Sequence, residues 1–355
     1  MDNDVLGTLL VGLLTAFLPA ALVEPGENRG LTAVAGIKVG HSVMPERPTG
    51  CTVILTEAGA VAAVDVRGGG PATHETDLLD PIATVQHVHA IVLSGGSAFG
   101  LATAGGVMRY LEEHGIGFDV GVARVPIVPA ASLFDLGVGG RPDVRPAAKC
   151  GYQAAKSASD GPVAEGNVGA GAGATVGKLL GPDRAMKAGL GSAALVLPSG
   201  LVVAALAAVN AIGQVVDPDT GKVVAGVRTP DGAGIFDLRP HVRAGAAISA
   251  ARPGENTTLG VVATNAVLTK VQATKMAQMA HDGLARAVYP AHLPLDGDTV
   301  FALATGTHTG EADLNAIGAL AAEALAQAIV RAATLATGIP GFPAAQDLGG
   351  TPAHQ

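Results

Sequence analysis

From Thr257 to the C-terminus the chain reads strand, helix, strand, helix, and this alternation most narrows what the sequence can fold into. Thr257–Ala266 opens with two threonines and runs into Val261-Val262, a short β-branched segment. Residues 267–288 fit an amphipathic helix with Leu268, Val271, Met276, Met279 and Leu284 inward, and 314–335 fit a second with Leu314, Ile317, Ala321, Leu325, Ala328 and Leu335. Between them Thr299–Ala304 is a buried strand. Helices and strands mixed in this way predict a layered α/β fold.

The upstream two thirds is punctuated by glycine. There are 50 glycines in 355 residues and only 3% aromatics, without a Gly-X-Y period, so close-packed layers and tight turns are expected rather than collagen or disorder. Short β-rich runs are expected at 33–40, 51–56 and 60–66, and a buried strand at 90–93 enters the glycine turn Ser94–Gly100 and then a helix to about Glu113. Two strands flank the Pro198–Gly200 turn, a hairpin surrounds Asp217–Gly221, and 229–255 reads as an exposed linker.

Several chemistries are excluded or unsupported. The net charge of −8 gives no electrostatic footprint for nucleic acid. Gly171–Leu179 looks like a P-loop but has Ala172 at the first glycine position and Leu179 after the lysine, so phosphate binding of that type is not expected. The ten histidines show no zinc spacing, and no metal or organic cofactor is expected. Cys51 and Cys150 are widely separated and form no metal pattern; two such thiols suggest a reduced, cytoplasmic setting more than a disulfide scaffold. Residues 5–23 are apolar and uncharged, near the length of a membrane span, but follow an acidic Met1–Asp4 and carry Gly7, Gly12 and Pro19. A packed or oligomer-contacting extension is expected there in preference to an anchor.

The residues with chemistry in them are few. Asn256-Thr257 follows a Pro253-Gly254 turn; it is either a loop ending at a strand or a bond that cleaves itself. Cleavage would make Thr257 an N-terminal residue whose α-amine, with an ordinary pKa of about 7.7–8.0, serves as its own general base. Asp296-Gly297-Asp298 is either a common turn or a pair of carboxylates on one face of an extended segment. Lys178 is the only charge between Glu165 and Asp183, either a solvated turn residue or a cation reaching into a site. Asn210, among apolar neighbours, must be hydrogen-bonded, structurally or as an oxyanion donor. Ser94–Gly100 could face an anion but lacks Gly-x-Gly-x-x-Gly.

In their joint order, the stretch Leu31–His41, Ser94–Gly100, Asn256-Thr257-Thr258 and Asp296–Asp298 resemble the P1 family of self-processing aminopeptidases and amidases. That family includes L-aminopeptidase/D-Ala-esterase/amidase, the β-peptidyl aminopeptidases and the nylon-oligomer (6-aminohexanoate-oligomer) endohydrolases. The resemblance spans about Gly30 to His308 and implies an αββα sandwich of the ornithine-acetyltransferase type, similar to N-terminal-nucleophile hydrolases. Beyond the apolar extension over 1–29, it implies α (30–256) and β (257–355) portions of one domain. The resemblance also implies that the two mature chains, of 256 and 99 residues, stay together, as a homotetramer of αβ units.

By the same resemblance Thr257 is the nucleophile, Asp296 and Asp298 orient its amine and hydroxyl, Lys178 lowers its pKa or holds a carboxylate, and Asn210 donates to the oxyanion. The Thr/Asp/Asp/Lys set is that of the nylon-oligomer branch. Where several members carry an active-site Tyr this chain has Phe134, and Ser94, Gly95 and Gly96 are candidate pocket residues. The implied activity is hydrolysis of amide bonds in small peptides, amino-acid amides or amide oligomers. The alternatives are acyl transfer of the ornithine-acetyltransferase kind and a non-catalytic glycine-rich ligand-binding protein.

Overall fold

The computed structural model describes residues 29–245 and 256–348. The apolar segment 5–23 and the 246–255 stretch, with its Pro253-Gly254 turn, lie outside the described residues.

Nine strands form one continuous sheet, numbered here in chain order: β1 (Lys38–Val43), β2 (Gly50–Val66), β3 (Ala72–His74), β4 (His87–Ser94), β5 (Ala130–Ser132), β6 (Leu190–Val196), β7 (Val202–Asn210), β8 (Thr257–Thr264) and β9 (Thr299–Ala304). Their order is β6-β7-β8-β9-β2-β4-β5-β3, with β1 on β2. Four helices cover it: α1 (Thr103–Glu113), α2 (Ala148–Lys156), α3 (Lys270–Ala287) and α4 (Leu314–Thr334).

The 17-residue β2 turns one sheet into two layers. Its first half pairs with β1 and β4, its second half with β9, and its register with β4 shifts between Leu55 and Ala60. Side chains alternate across each strand, so both faces must be covered. On β7, Val203, Ala205, Ala207 and Val209 face Met276, Leu284, Ile317 and Leu325 of α3 and α4. On its other face Ala204, Leu206 and Ala208 join Val261 and Phe301 against Ile54, Ile91 and Leu93 of the second layer. That layer turns Val53, Leu55 and Val92 outward onto Val107 and Leu111 of α1 and Ala154 of α2. The succession is helix, sheet, sheet, helix: the αββα sandwich expected.

Local chemistry sets the helix starts. Thr269 caps α3 in a reciprocal capping box with Gln272, and Asp313 caps α4.

Four expectations need correction. Residues 33–37 are not strand; a 3₁₀ turn at Gly30–Ala33 precedes β1. The described part of 229–255 is not all linker, since Ile235–Phe236 pairs with Val227–Arg228 and Asp237 caps a short helix, Leu238–Arg243. Val271 and Leu335 are exposed, because α3 meets the core through Ala273, Met276, Ala277 and Ala280 instead, and α4 ends at Thr334, before Leu335. Cys51 on β2 and Cys150 on α2 are not separate thiols: they are joined as a disulfide, Cα atoms 6.3 Å apart, because α2 packs directly on this strand.

Candidate active site

β8 lies between an antiparallel and a parallel neighbour, and that position builds the site. On one side Asn210, the last residue of β7, is the partner of Thr257. On the other, β8 and β9 run parallel from Leu259 opposite Thr299. Extending that register backwards sets Thr258 beside Asp298, Thr257 beside Gly297 and Asn256 beside Asp296. The contacts follow it: Thr258 N–H donates to Asp298 Oδ1 at 2.8 Å, Gly297 N–H to Asn256 O at 2.9 Å, and Asn256 bridges Asp296. Every residue of β8 is buried, so the apolar strand carries its polar first residue inside.

The Asn256–Thr257 peptide is gripped closely. The Thr257 hydroxyl donates to the Asn256 carbonyl oxygen, the same atom that accepts the Gly297 N–H. A Cβ at Gly297 would stand 2.6 Å from Thr257 Oγ1, so this position needs glycine. The Asn256 side chain is fully buried, and neither amide atom has a hydrogen-bond partner among the described residues.

Lys178 Nζ donates to Asn210 O and Oδ1, each at 2.9 Å. Asn210 Oδ1 also accepts the Thr175 N–H at 3.0 Å, while Nδ2 donates to Phe134 O at 2.8 Å. Asn210 therefore ties together Lys178, the glycine-rich loop and the Phe134 backbone. Phe134 enters this network through its carbonyl, where the identity of its ring makes no difference.

The two carboxylates differ in their surroundings. Asp298 Oδ2 accepts both the backbone N–H and ring Nδ1 of His292, each at 2.9 Å. Asp296 is 1% exposed; it accepts the Leu293 N–H on Oδ2 at 3.2 Å, and its Oδ1 has no partner among the described residues. Burial, then the charge of Asp298, pushes the Asp296 carboxyl up to about 7, against the opposing pull of Lys178. An acid that titrates near neutrality is suited to give or take a proton in a reaction at neutral pH.

Thus Thr257, Asn256, Asp296, Asp298, Lys178 and Asn210 come together, with Phe134 adjoining through its backbone. Ser94, Gly95 and Gly96 do not line an open wall: all three are buried in a packed turn. Gly96 N–H donates to Asp135 Oδ1 at 2.9 Å, and a Cβ at Gly95 would meet Asp135 Oδ2 at 2.2 Å. Asp135 is itself paired with Arg47 at 2.9 Å, both side chains fully buried. The turn thus anchors the segment that bears Phe134.

Sequence reasoning missed His292, Gly297 and Lys187. His292 has no diagnostic spacing, and Gly297 was read only as a turn. Lys187 is fully buried beneath the glycine-rich loop, donating to Gly171 O at 2.9 Å, Ala174 O at 3.1 Å and Ala188 O, and burial pushes it down to about 7. No group of three or more metal-ligating side chains occurs among the described residues.

Known proteins share this plan. An uncharacterized aminopeptidase of Mycobacterium tuberculosis is 44% identical over 349 residues, covering 90% of this chain and 97% of the relative. A 6-aminohexanoate-oligomer endohydrolase of Kocuria sp. (strain KY2) is 30% identical over 320 residues, 84% of each chain. The structure of a Burkholderia sp. beta-aminopeptidase superimposes with a TM-score of 0.60 at 25% identity, covering 88% of both chains. Residues 29–346 match peptidase family S58, and the chain belongs to that family of hydrolases acting on peptide and amide bonds.

Proposed function

We propose that the protein first cleaves its own Asn256–Thr257 bond and then uses Thr257 to hydrolyse amide bonds in small peptides, amino-acid amides or amide oligomers. The observation that carries this reading is that the Thr257 hydroxyl and the Gly297 N–H converge on one carbonyl oxygen, that of Asn256. Attack by Thr257 Oγ on the Asn256 carbonyl carbon puts negative charge on that oxygen, where the Gly297 N–H already points. Collapse breaks the C–N bond, and the Thr257 nitrogen leaves with a proton. In this scheme Asp296, whose carboxyl titrates at about 7, relays it, giving its proton to the nitrogen and taking up the one that the Thr257 hydroxyl loses on attack. The resulting Asn256–Thr257 ester, in which the α-amine is already free, takes up water and gives the Asn256 carboxylate and the Thr257 hydroxyl.

The burial of Asn256 supports the same step. An unpaired buried polar group costs about 1–3 kcal/mol, a cost that release of the new carboxyl end would relieve. In the mature form the α-amine is the base for Thr257 Oγ, Asp296 and Asp298 hold that amine and the strand start, and Lys178 and Asn210 hold the cation and carbonyl beside it. The α and β portions then stay associated, and assembly of αβ units into a tetramer belongs to the same proposal. Among substrates, L-aminoacyl amides are suggested by the aminopeptidase relatives and 6-aminohexanoate oligomers by the endohydrolase.

On a denaturing gel the 34.9 kDa chain should run as two bands, about 25 and 10 kDa in proportion to 256 and 99 residues. Thr257→Ala should give one band and no amidase activity. Splitting after Asn256 in that variant would overturn the assignment.

A further inference from the structure

We propose that His292 is a positioning residue for this reaction: its backbone N–H and ring Nδ1 together clamp Asp298 against the start of the nucleophile's strand. The proposal rests on Thr257 being the nucleophile.

Three observations converge on it. First, both His292 donors meet the same oxygen, Asp298 Oδ2, at 2.9 Å, which leaves Oδ1 to accept the Thr258 N–H at 2.8 Å. A carboxylate offers only acceptors, so the ring Nδ1 must carry hydrogen here. Second, this two-point grip needs an uncommon backbone. His292 has φ 58°, in the left-handed region that bulky side chains avoid, and it is this turn that lets main chain and ring reach one atom. Third, the ring is fixed from behind. His281 of α3 packs edge-on against it with ring centroids 4.7 Å apart, and its own Nε2 bonds Asp65 O at 2.9 Å.

The consequence runs through Asp298 to the reacting peptide. Its carbonyl is also held, accepting the N–H groups of Arg67 at 3.0 Å and Gly68 at 3.2 Å, so the whole residue is immobilised beside Thr258. Its charge is one reason Asp296 stays protonated into the neutral range. The titratable and charged groups that bear on this pair are Lys178 from the glycine-rich loop, His292 from the preceding turn, and His281, Asp65 and Arg67 behind the ring. Burial pushes His281 down to about 4, so it remains a neutral packing partner at working pH. The Asp65 charge is engaged by Arg67 at 2.8 Å. His292 is therefore the side chain through which the surroundings hold Asp298 against Thr258 and beside Asp296.

The test separates backbone from donor. His292→Gly accepts the left-handed turn but loses the ring donor. His292→Asn accepts the turn and presents an amide N–H near the place of Nδ1. The Gly variant should self-cleave about tenfold more slowly or worse, as expected for loss of one charge-assisted hydrogen bond, and its alkaline pH limb, set by Asp296, should move down, because a loosened Asp298 raises Asp296 less. The Asn variant should restore both rate and limb.

A Gly variant with wild-type rate and profile overturns the proposal, as does an Asn variant no better than Gly. If the Gly variant does not fold, His292→Asp decides. It has the shape and backbone tolerance of Asn but turns a carboxylate onto Asp298, so it must be slower than Asn, and equal rates overturn the proposal. Thr257→Ala run alongside keeps the two readings apart. If it splits, the nucleophile is misassigned; if it stays intact while His292→Gly cleaves normally, only the role of His292 fails.

Discussion

The backbone N–H of Gly297 donates at 2.9 Å to the carbonyl oxygen of Asn256, across the parallel register that joins the two sides of the site. Because this donor belongs to the main chain, no side-chain deletion removes it, yet its residue type still matters. Gly297→Ala adds a Cβ 2.6 Å from Thr257 Oγ1, 3.0 Å from Gly70 O and 3.3 Å from Pro71 Cα. The Thr257 hydroxyl is the group that can yield, by rotating away from the bond it would attack. The variant is expected to fold and remain a single 34.9 kDa chain, checked by denaturing gel beside a thermal melt.

Asp296 makes stability depend on pH. Its folded value of about 7 lies above the ordinary 3.8, so between those limits the folded protein keeps a proton that the unfolded chain has lost. Stability from this residue therefore falls as pH rises from about 4 to 7, by at most roughly 4 kcal/mol. In an uncleaved Thr257→Ala background, Asp296→Asn should raise the melting temperature at pH 8 and leave it unchanged below pH 4. Equal melting curves at pH 8 would contradict the shift.

Lys178 opposes the rise in Asp296. Lys178→Met removes the cation, so the carboxyl should titrate higher still. Self-cleavage that relies on protonated Asp296 declines as pH passes its titration point. In the variant that decline should move to higher pH, measured by time courses of band appearance across pH 6–9, even as the overall rate falls.

Arg47 and Asp135 support the site from below. Arg47 also donates to Val138 O at 3.1 Å and Val144 O at 3.0 Å, while Asp135 accepts the Thr49 hydroxyl and the Gly96 N–H. Arg47→Met leaves a buried carboxylate without its cation, which costs about 3–5 kcal/mol. Urea denaturation should show a correspondingly lower midpoint with an unchanged slope, whereas Arg141→Met, at an exposed pair, should have little effect.

Much of this arrangement was legible in the sequence where the signal is local. The threonine strand, the Asp296–Asp298 turn and both C-terminal helices announce themselves by side-chain period and turn chemistry over a few residues. The pairing of Cys51 with Cys150 does not, because it depends on α2 packing on β2 across a separation of 99 residues. Gly297 and His292 are obscure for a related reason. Their roles come from the parallel register of β8 and β9 and from a left-handed backbone angle, neither of which has a compositional mark. Ser94–Gly96 shows the converse: a glycine turn at a strand end suggests an open pocket wall, but the residue that fills the space, Asp135, lies some forty positions away.

The strand order has a last consequence. β8 and β9, both downstream of Asn256, sit between β7 and β2, both upstream of it. A nick at Asn256 would thus leave two polypeptides interleaved through one sheet, each lacking neighbours the other supplies. Before the cut, refolding is a one-molecule process; after it, two molecules must meet. The refolding rate of the processed protein should then rise with its concentration while that of the Thr257→Ala chain does not, so the cut would turn a reversible fold into one kept largely by the slowness of its unfolding.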